Sequence, residues 1–329
     1  MDRRKFLKTI AGSVAFGAVQ APFVQAQGAW PASGRTLKVI VPWPPGAAND
    51  ALGRLLAQRL QEKFGASTVV ENRTGGSGLI GTNAVIQAEP DGYTLLASAF
   101  NTAVMPMVLK GATFDPEVDL EVISRTAVAP LVCVMTGARP QKTMNEMLTA
   151  AKANPNEWLF AISALGSAGH LATIDFARRT GIKFTLVPYR GTTPALTDVM
   201  SGSVQLLIDP AFALLPTAKD GTRARALGIA SKSRSQLAPE LPTIGEQGLP
   251  GFEFNSWYCI WAPKGTPRDI SEKVNGLMQE TMRDPAVVSR LTTQLLEPVA
   301  EGIDESKKFI ANEIGRAREL LKLVNFQPT

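Results

Sequence analysis

The chain has 329 residues, 45% hydrophobic and 19% charged, with a formal net charge of +5, two cysteines and one histidine. That composition excludes a disordered chain, and the length leaves room for two domains with cores of their own. Two isolated cysteines and a single histidine exclude a zinc site of thiolates and imidazoles.

Residues 1–26 read as an export signal and are set apart from the fold. Arg3, Arg4, Lys5 and Lys8 precede a weakly apolar run at 10–24, and Val24-Gln25-Ala26 is a small-residue cleavage pattern. The run is short for a bilayer and is interrupted by Gln20 and Pro22. Asp2-Arg3-Arg4-Lys5-Phe6-Leu7-Lys8 resembles a twin-arginine signal, and the alternative is an ordinary secretory signal that happens to hold two arginines. Removing residues 1–26 takes away four basic groups and one acid, so the remainder carries only +2. With no block of Lys or Arg, such a chain is a poor nucleic-acid binder. No later segment has 18 uninterrupted apolar residues, as a membrane-spanning helix would.

Strand and helix patterns then alternate, the mark of α/β architecture. Residues 37–43 predict a strand. Residues 49–64 predict a helix with Leu52, Leu55, Leu56 and Leu60 on one face. A strand at 68–71, a turn at 72–76, a short helix at 78–88 and a strand at 93–99 follow. Residues 121–135 are one long extended segment. Helices at 143–153, 169–179, 194–200 and 211–218 then alternate with strands at 159–164, 184–189, 204–209 and 224–230. Residues 252–261 are a second long strand pattern. The rest is helical, at 267–283, 285–295 and 305–324, with Pro267 and Pro285 suited to first-turn positions. That tail has no sheet of its own and is expected to return to the first domain.

The expected organisation is therefore residues 35–135 with 252–329 as domain 1 and residues 136–251 as domain 2. Two crossing segments near 121–136 and 250–262 join them, which makes a cleft with a hinge. Cys133 and Cys259 lie in apolar runs, either paired across neighbouring strands or buried as free thiols, the second being the plainer reading.

In an open α/β sheet, ligands bind beyond the carboxyl ends of the strands. At the first such end stands Val41-Pro42-Trp43-Pro44-Pro45-Gly46-Ala47-Ala48-Asn49-Asp50. The prolines stiffen it, the small residues allow close approach, and Asn49 or Asp50 can cap the helix. The free N–H groups of the helix's first turn suit a carboxylate, although a plain capped corner has the same residues. Ser163-Ala164-Leu165-Gly166-Ser167-Ala168-Gly169-His170 repeats that logic in the second domain. Ser167 can cap the helix there, and His170 at a helix start is better read as packed or hydrogen-bonded than as a base. The candidate ligand-binding residues are Trp43, Ala47, Ala48, Asn49 and Asp50, then Ser98 and Asn101, then Ser163, Ser167, Ala168 and His170, then Tyr189, Arg190, Gly191 and Asp209. No carboxylate pair suggests acid–base work, so no catalytic residue, cofactor or metal is expected.

Gly76-Ser77-Gly78-Leu79-Ile80-Gly81 matches the dinucleotide fingerprint in pattern. Five residues separate it from the preceding strand, and no acid ends the next strand. A twin-arginine-exported, dinucleotide-dependent oxidoreductase is the alternative function, and close helix packing is the bland account of the glycines.

Several stretches carry a resemblance. They are Val41–Gly46 with Asp50, Val70-Glu71-Asn72-Arg73, residues 75–81, and Pro90-Asp91-Gly92-Tyr93-Thr94-Leu95-Leu96. They continue with Gly166-Ser167 and His170, Val187-Pro188-Tyr189-Arg190-Gly191, Pro194-Ala195-Leu196-Thr197-Asp198, Leu241-Pro242-Thr243, residues 248–252 and residues 262–267. As an ordered set from about residue 37 to the C-terminus, the chain resembles the Bug family, periplasmic solute-binding receptors of tripartite tricarboxylate transporters. The resemblance implies a two-domain periplasmic binding protein, a flytrap that closes on a carboxylated solute. Main-chain N–H groups and bridging waters on the loops after Trp43 and around Ser167 would hold the carboxylate, and membrane subunits would receive the solute. Ala47-Ala48 for Gly-Gly, Asn49 for Thr or Ser, Trp43 for Phe and Arg190 for Lys depart from the family pattern and bear on which acid fits.

Overall fold

A computed structural model describes residues 30–218, 221–236 and 238–329. The export signal at 1–26 lies outside the described residues. In chain order the elements are β1 (Thr36–Val41), α1 (Ala48–Phe64), β2 (Ser67–Asn72), α2 (Leu79–Ile86), β3 (Thr94–Ala99), α3 (Phe100–Val108), β4 (Leu120–Thr136), α4 (Met144–Ala153), β5 (Leu159–Ile162), α5 (Ala168–Thr180) and β6 (Thr185–Pro188). There follow α6 (Thr192–Ser201), β7 (Leu206–Pro210), α7 (Ala211–Ala218), β8 (Ala224–Ile229), β9 (Asn255–Pro263), α8 (Arg268–Arg283), α9 (Pro285–Thr293), β10 (Glu297–Pro298) and α10 (Ile303–Leu323).

Two sheets share one strand. The first runs β2-β1-β3-β9-β4, with β1 parallel to β2 and β3, and β9 antiparallel to β3 and β4. The second runs β4-β7-β5-β6 with β8 also on β4, the β5 pairs being parallel and the β4 pairs antiparallel. β4 serves both: Leu120 to Pro130 pair with β9, and Leu131 to Thr136 pair with β7 and β8. Pro130 stands at the handover, where the missing N–H disturbs a ladder least. A second link lies beside it, where Leu131 N–H donates to Phe254 C=O and Phe254 N–H to Ala230 C=O. The result is the two-domain, flytrap-like α/β fold with two segments crossing between the lobes.

Each lobe has its own core. Leu37, Val39, Leu56, Leu60, Ile260 and Val274 fill the first beneath α1 and α8, and Val132, Val134, Ala161, Leu207 and Leu214 fill part of the second. A third cluster spans both sheets, from Leu96 and Phe100 through Leu131 and Trp257 to Phe160 and Phe176. Each fully buried large side chain is worth roughly 1.5–3 kcal/mol over an exposed one, so this shared seam holds the two sheets together. The helical tail packs on the first sheet: α8 and α10 lie on β4, and Asn275 Nδ2 donates to Ile123 C=O at 2.9 Å. Phe326 goes further and sets its ring edge-on to His170 of the second lobe.

Cys133 and Cys259 are both free and buried. Cys259 sits opposite Arg125 on β4, eight residues from Cys133 on that strand. Eight residues of strand span roughly 25 Å, far beyond disulfide reach.

Candidate functional site

Five of the parallel-running chain segments end at one cleft and turn into helices there. The cleft encloses about 390 Å³, within the usual range for small-molecule sites. Its lining includes the first residues of α1 (Ala48, Asn49), α3 (Phe100, Asn101), α5 (Ala168, Gly169), α6 (Thr192, Thr193, Pro194) and α7 (Phe212, Ala213). A helix start carries unpaired N–H groups and about half a positive elementary charge. The starts of α1, α3 and α6 have no side-chain cap, their flanking residues being Ala47, Ala99 and Gly191. Sheet order brings them together: β1 and β3 supply two from the first lobe, and β5, β6 and β7 supply three from the second.

The first wall is the Trp43–Ala47 corner, and a buried carboxylate ties it. Asp50 Oδ2 accepts from Gly46 N–H at 3.0 Å and from Arg54 Nε at 2.9 Å, and Oδ1 accepts from Asn72 Nδ2 at 2.9 Å. Asn72 Nδ2 also donates to Trp43 C=O at 2.9 Å. Gly46 has φ +88°, a left-handed conformation that glycine takes without strain. The expected capping by Asn49 or Asp50 is corrected: Ala47 is the N-cap residue with no side-chain cap, and Asp50 turns back to the loop instead.

The glycines at 76–81 brace this corner. Asn101 Nδ2, at the cleft, donates to Ser77 C=O at 2.9 Å, and a Cβ on Gly78 would lie 3.1 Å from that same nitrogen. A Cβ on Gly81 would lie 2.8 Å from Arg73 C=O and 2.9 Å from Pro42 Cβ. Their close backbone approach is to protein atoms, and none of residues 76–81 lines the cleft.

The second wall is the β5–α5 corner. Ser167 caps α5, its Oγ accepting from His170 N–H at 3.1 Å. Gly191 N–H donates to Ser163 C=O at 2.7 Å, drawing the β6–α6 loop alongside. Beneath both lies Asp209, whose carboxylate accepts from Ser163 Oγ at 3.0 Å and from Thr192 Oγ1. Burial pushes its carboxyl up to about 6, against the two hydroxyls that pull it down. Among the described residues, Arg190 and Asp209 are the only formally charged ones lining the cleft, Arg190 being exposed and Asp209 buried. Trp43, Phe100, Phe212 and Tyr258 give it aromatic surface. Among the described residues no group of three His, Cys, Asp or Glu could hold a metal ion, and no helix is long and apolar enough to cross a membrane.

The family model described as the tripartite tricarboxylate transporter family receptor, TctC, matches residues 52–326. The chain belongs to this receptor family. The receptor is 36% identical to Protein BugT of Bordetella pertussis over 318 residues, 96% of each chain. Its fold matches the solved structure of an R. palustris protein, Rpa4515 with adipate, at 32% identity and TM-score 0.85, covering 91% of this chain and all of that one. It matches the periplasmic binding protein BugD at 28% identity and TM-score 0.81, covering 90% of this chain and 99% of that one.

Of the receptor's sequence candidates, Trp43, Ala47, Ala48, Asn49, Asn101, Ser163, Ser167, Ala168, Arg190, Gly191 and Asp209 meet at the cleft. The other four are not among the residues lining the cleft. Asp50 is turned into the corner. Ser98 is buried in β3, its Oγ accepting from Thr102 Oγ1 at 2.9 Å. His170 uses Nδ1 to accept from Gly166 N–H at 3.1 Å, and burial pushes its imidazole down to about 4, so it is neutral and occupied. Tyr189 donates its OH to Asp198 at 2.7 Å, on α6. Ser256, Tyr258 and Phe212 line the cleft without having been anticipated. Ser256 and Tyr258 are two apart in β9 and so share a face, the one signal that was available for them.

Replacing the receptor's Ser167 with alanine removes the α5 cap. Ser167→Ala is expected to lower stability by about 1 kcal/mol, read as a lower urea midpoint at unchanged slope.

Proposed function

We propose that this chain captures a small carboxylated solute between its two lobes and passes it to the membrane subunits of a tripartite tricarboxylate transporter. The lobes are close to residues 35–135 with 252–329 and residues 136–251, with Leu131 to Thr136 of β4 already paired in the second sheet, and they hinge where β4 and the segment before β9 cross. The work is done in the periplasm, after export directed by residues 1–26. The chain acts as a binding protein and not as an enzyme.

The convergence of five helix starts on one cleft supports this reading most. Their N–H groups favour an organic anion without a metal or a dedicated cation. Tips from both lobes face the same space, so a solute reaching both gains contacts in the closed form that the open form lacks, which is what closure requires. The adipate held by Rpa4515 is an acid of that class. Membership of a solute-binding receptor family, with His170 turned away from the cleft, favours binding over catalysis.

A thermal-shift and calorimetry panel of small mono-, di- and tricarboxylates, each beside its uncharged amide, tests the proposal. At least one acid is expected to raise the unfolding midpoint where its amide does not. At a hundredfold excess over Kd the stabilisation is about 2.7 kcal/mol. A panel in which no carboxylate shifts the midpoint rejects the proposal.

A further inference from the structure

Asp209 is out of keeping with a cleft built for anions. It is a carboxylate 2% exposed, set among five helix starts, on the floor of the space a ligand enters. Its partners are two hydroxyls, Ser163 Oγ and Thr192 Oγ1, one on each carboxylate oxygen, and neither is a cation. A carboxylate oxygen accepts in two directions, so each retains acceptor capacity. Tyr258 of β9, also at the cleft, is close enough for Asp209 to push its phenol further up. Among the described residues, the other charged group lining the cleft is the exposed Arg190 on the β6–α6 loop, and no ion pair joins it to Asp209.

We propose that Asp209 selects, among small carboxylates, those that also carry a hydrogen-bond donor, a hydroxyl or an ammonium group, placed to reach its free lone pairs. The inference rests on the carboxylate-receptor reading and narrows it. The solute's carboxylate sits on the helix tips and its donor on Asp209. An acid with no donor brings a second negative charge toward a buried carboxylate that has no counter-ion, and Asp209 must then take up a proton. A hydroxyl supplies the missing partner, and an ammonium supplies a counter-charge as well. The pH dependence has a definite sign. With its carboxyl raised to about 6, Asp209 is mostly ionised at pH 7.5 and mostly protonated at pH 5. The preference for donor-bearing acids is therefore strong at the higher pH and fades at the lower one. Tyr258, pushed up by burial, stays neutral throughout and does not contribute to the change.

The experiment is calorimetry with two matched series on the full chain: succinate, malate and aspartate, then 3-phenylpropionate, 3-phenyllactate and phenylalanine. In whichever series binds, the hydroxy or amino acid is expected to bind about tenfold or more tighter than its unsubstituted parent at pH 7.5. That ratio should shrink at pH 5 and collapse in Asp209→Asn. The pH series on the unaltered protein decides the matter if the variant does not fold. An unsubstituted acid that binds as tightly as both partners at pH 7.5 overturns the inference and leaves the carboxylate-receptor reading intact. If no acid of either series binds, the inference falls, and the wider carboxylate panel decides the receptor reading on its own.

Discussion

Gly169→Ala is expected to be the most damaging one-carbon change at the cleft. A Cβ there would lie 2.2 Å from Ile208 C=O and 2.9 Å from Asp209 Oδ1. The first of these is a backbone atom of β7, which cannot swing aside. The start of α5 must therefore lift off the strand, taking the Ser167 cap with it and separating α5 from Asp209. Overpacking costs typically 1–3 kcal/mol, and a contact this short points to the upper end, roughly 3 kcal/mol. Urea denaturation should show the loss, and calorimetry should show weaker carboxylate binding because two helix tips have parted. Gly276→Ala is the control. Gly276 is exposed in the middle of α8 with nothing near its Cβ position, so alanine there should stabilise by about 1 kcal/mol. A Gly169→Ala protein as stable as the parent would refute the close α5–β7 packing on which the second wall depends.

Asp50→Ala should be nearly as costly, by a different route. Three donors lose their acceptor at once: Gly46 N–H, Arg54 Nε and Asn72 Nδ2. The Asp50 side chain is only 6% exposed, so water replaces it poorly. The expected loss is roughly 2–3 kcal/mol of stability, with weaker carboxylate binding as the Trp43–Ala47 corner loosens. The effect has a pH signature. Burial raises the Asp50 carboxyl, but hydrogen bonds from Arg54, Gly46 and Asn72 outweigh it and hold the pKa below the ordinary carboxylate value. Its stabilisation is thus fully present above about pH 4, the unfolded value, and is lost as pH falls through the lower folded one. The gap between parent and Asp50→Ala should be flat from pH 6 to 8 and close in strong acid. Asp209 runs the other way: its raised pKa means that the fold gains stability as pH drops from about 6 toward 4. A gap that stays constant into strong acid would show that Asp50 holds the corner by shape and not by charge.

Much of the architecture was legible because it is local. The long extended pattern at 121–135 became β4, and Leu52, Leu55, Leu56 and Leu60 became the buried face of α1. The helix α3 went unanticipated, since Ala99 offers no cap and Pro106 interrupts the helical pattern. The two-residue β10 is too short to leave a pattern at all. At the cleft, the corners were recognisable from small residues after apolar runs. Which side chains reach the ligand space was not, as Asp50 and His170 illustrate. Both are polar residues in the first turns of the right helices, and each is taken up by a neighbouring backbone N–H.

Composition, order and spacing alone determined the alternation of strands and helices, the family resemblance and the two small-residue corners. These depend on residues a few positions apart. Tertiary structure decided everything that needs distant partners. Asp50 meets Asn72 across 22 residues, and Asp209 meets Ser163 across 46. Five helix starts converge only because β1 and β3 lie in one sheet, β5, β6 and β7 lie in the other, and β4 is shared between them. The field at the cleft is a sum over those tips, so it exists only once the sheets are assembled.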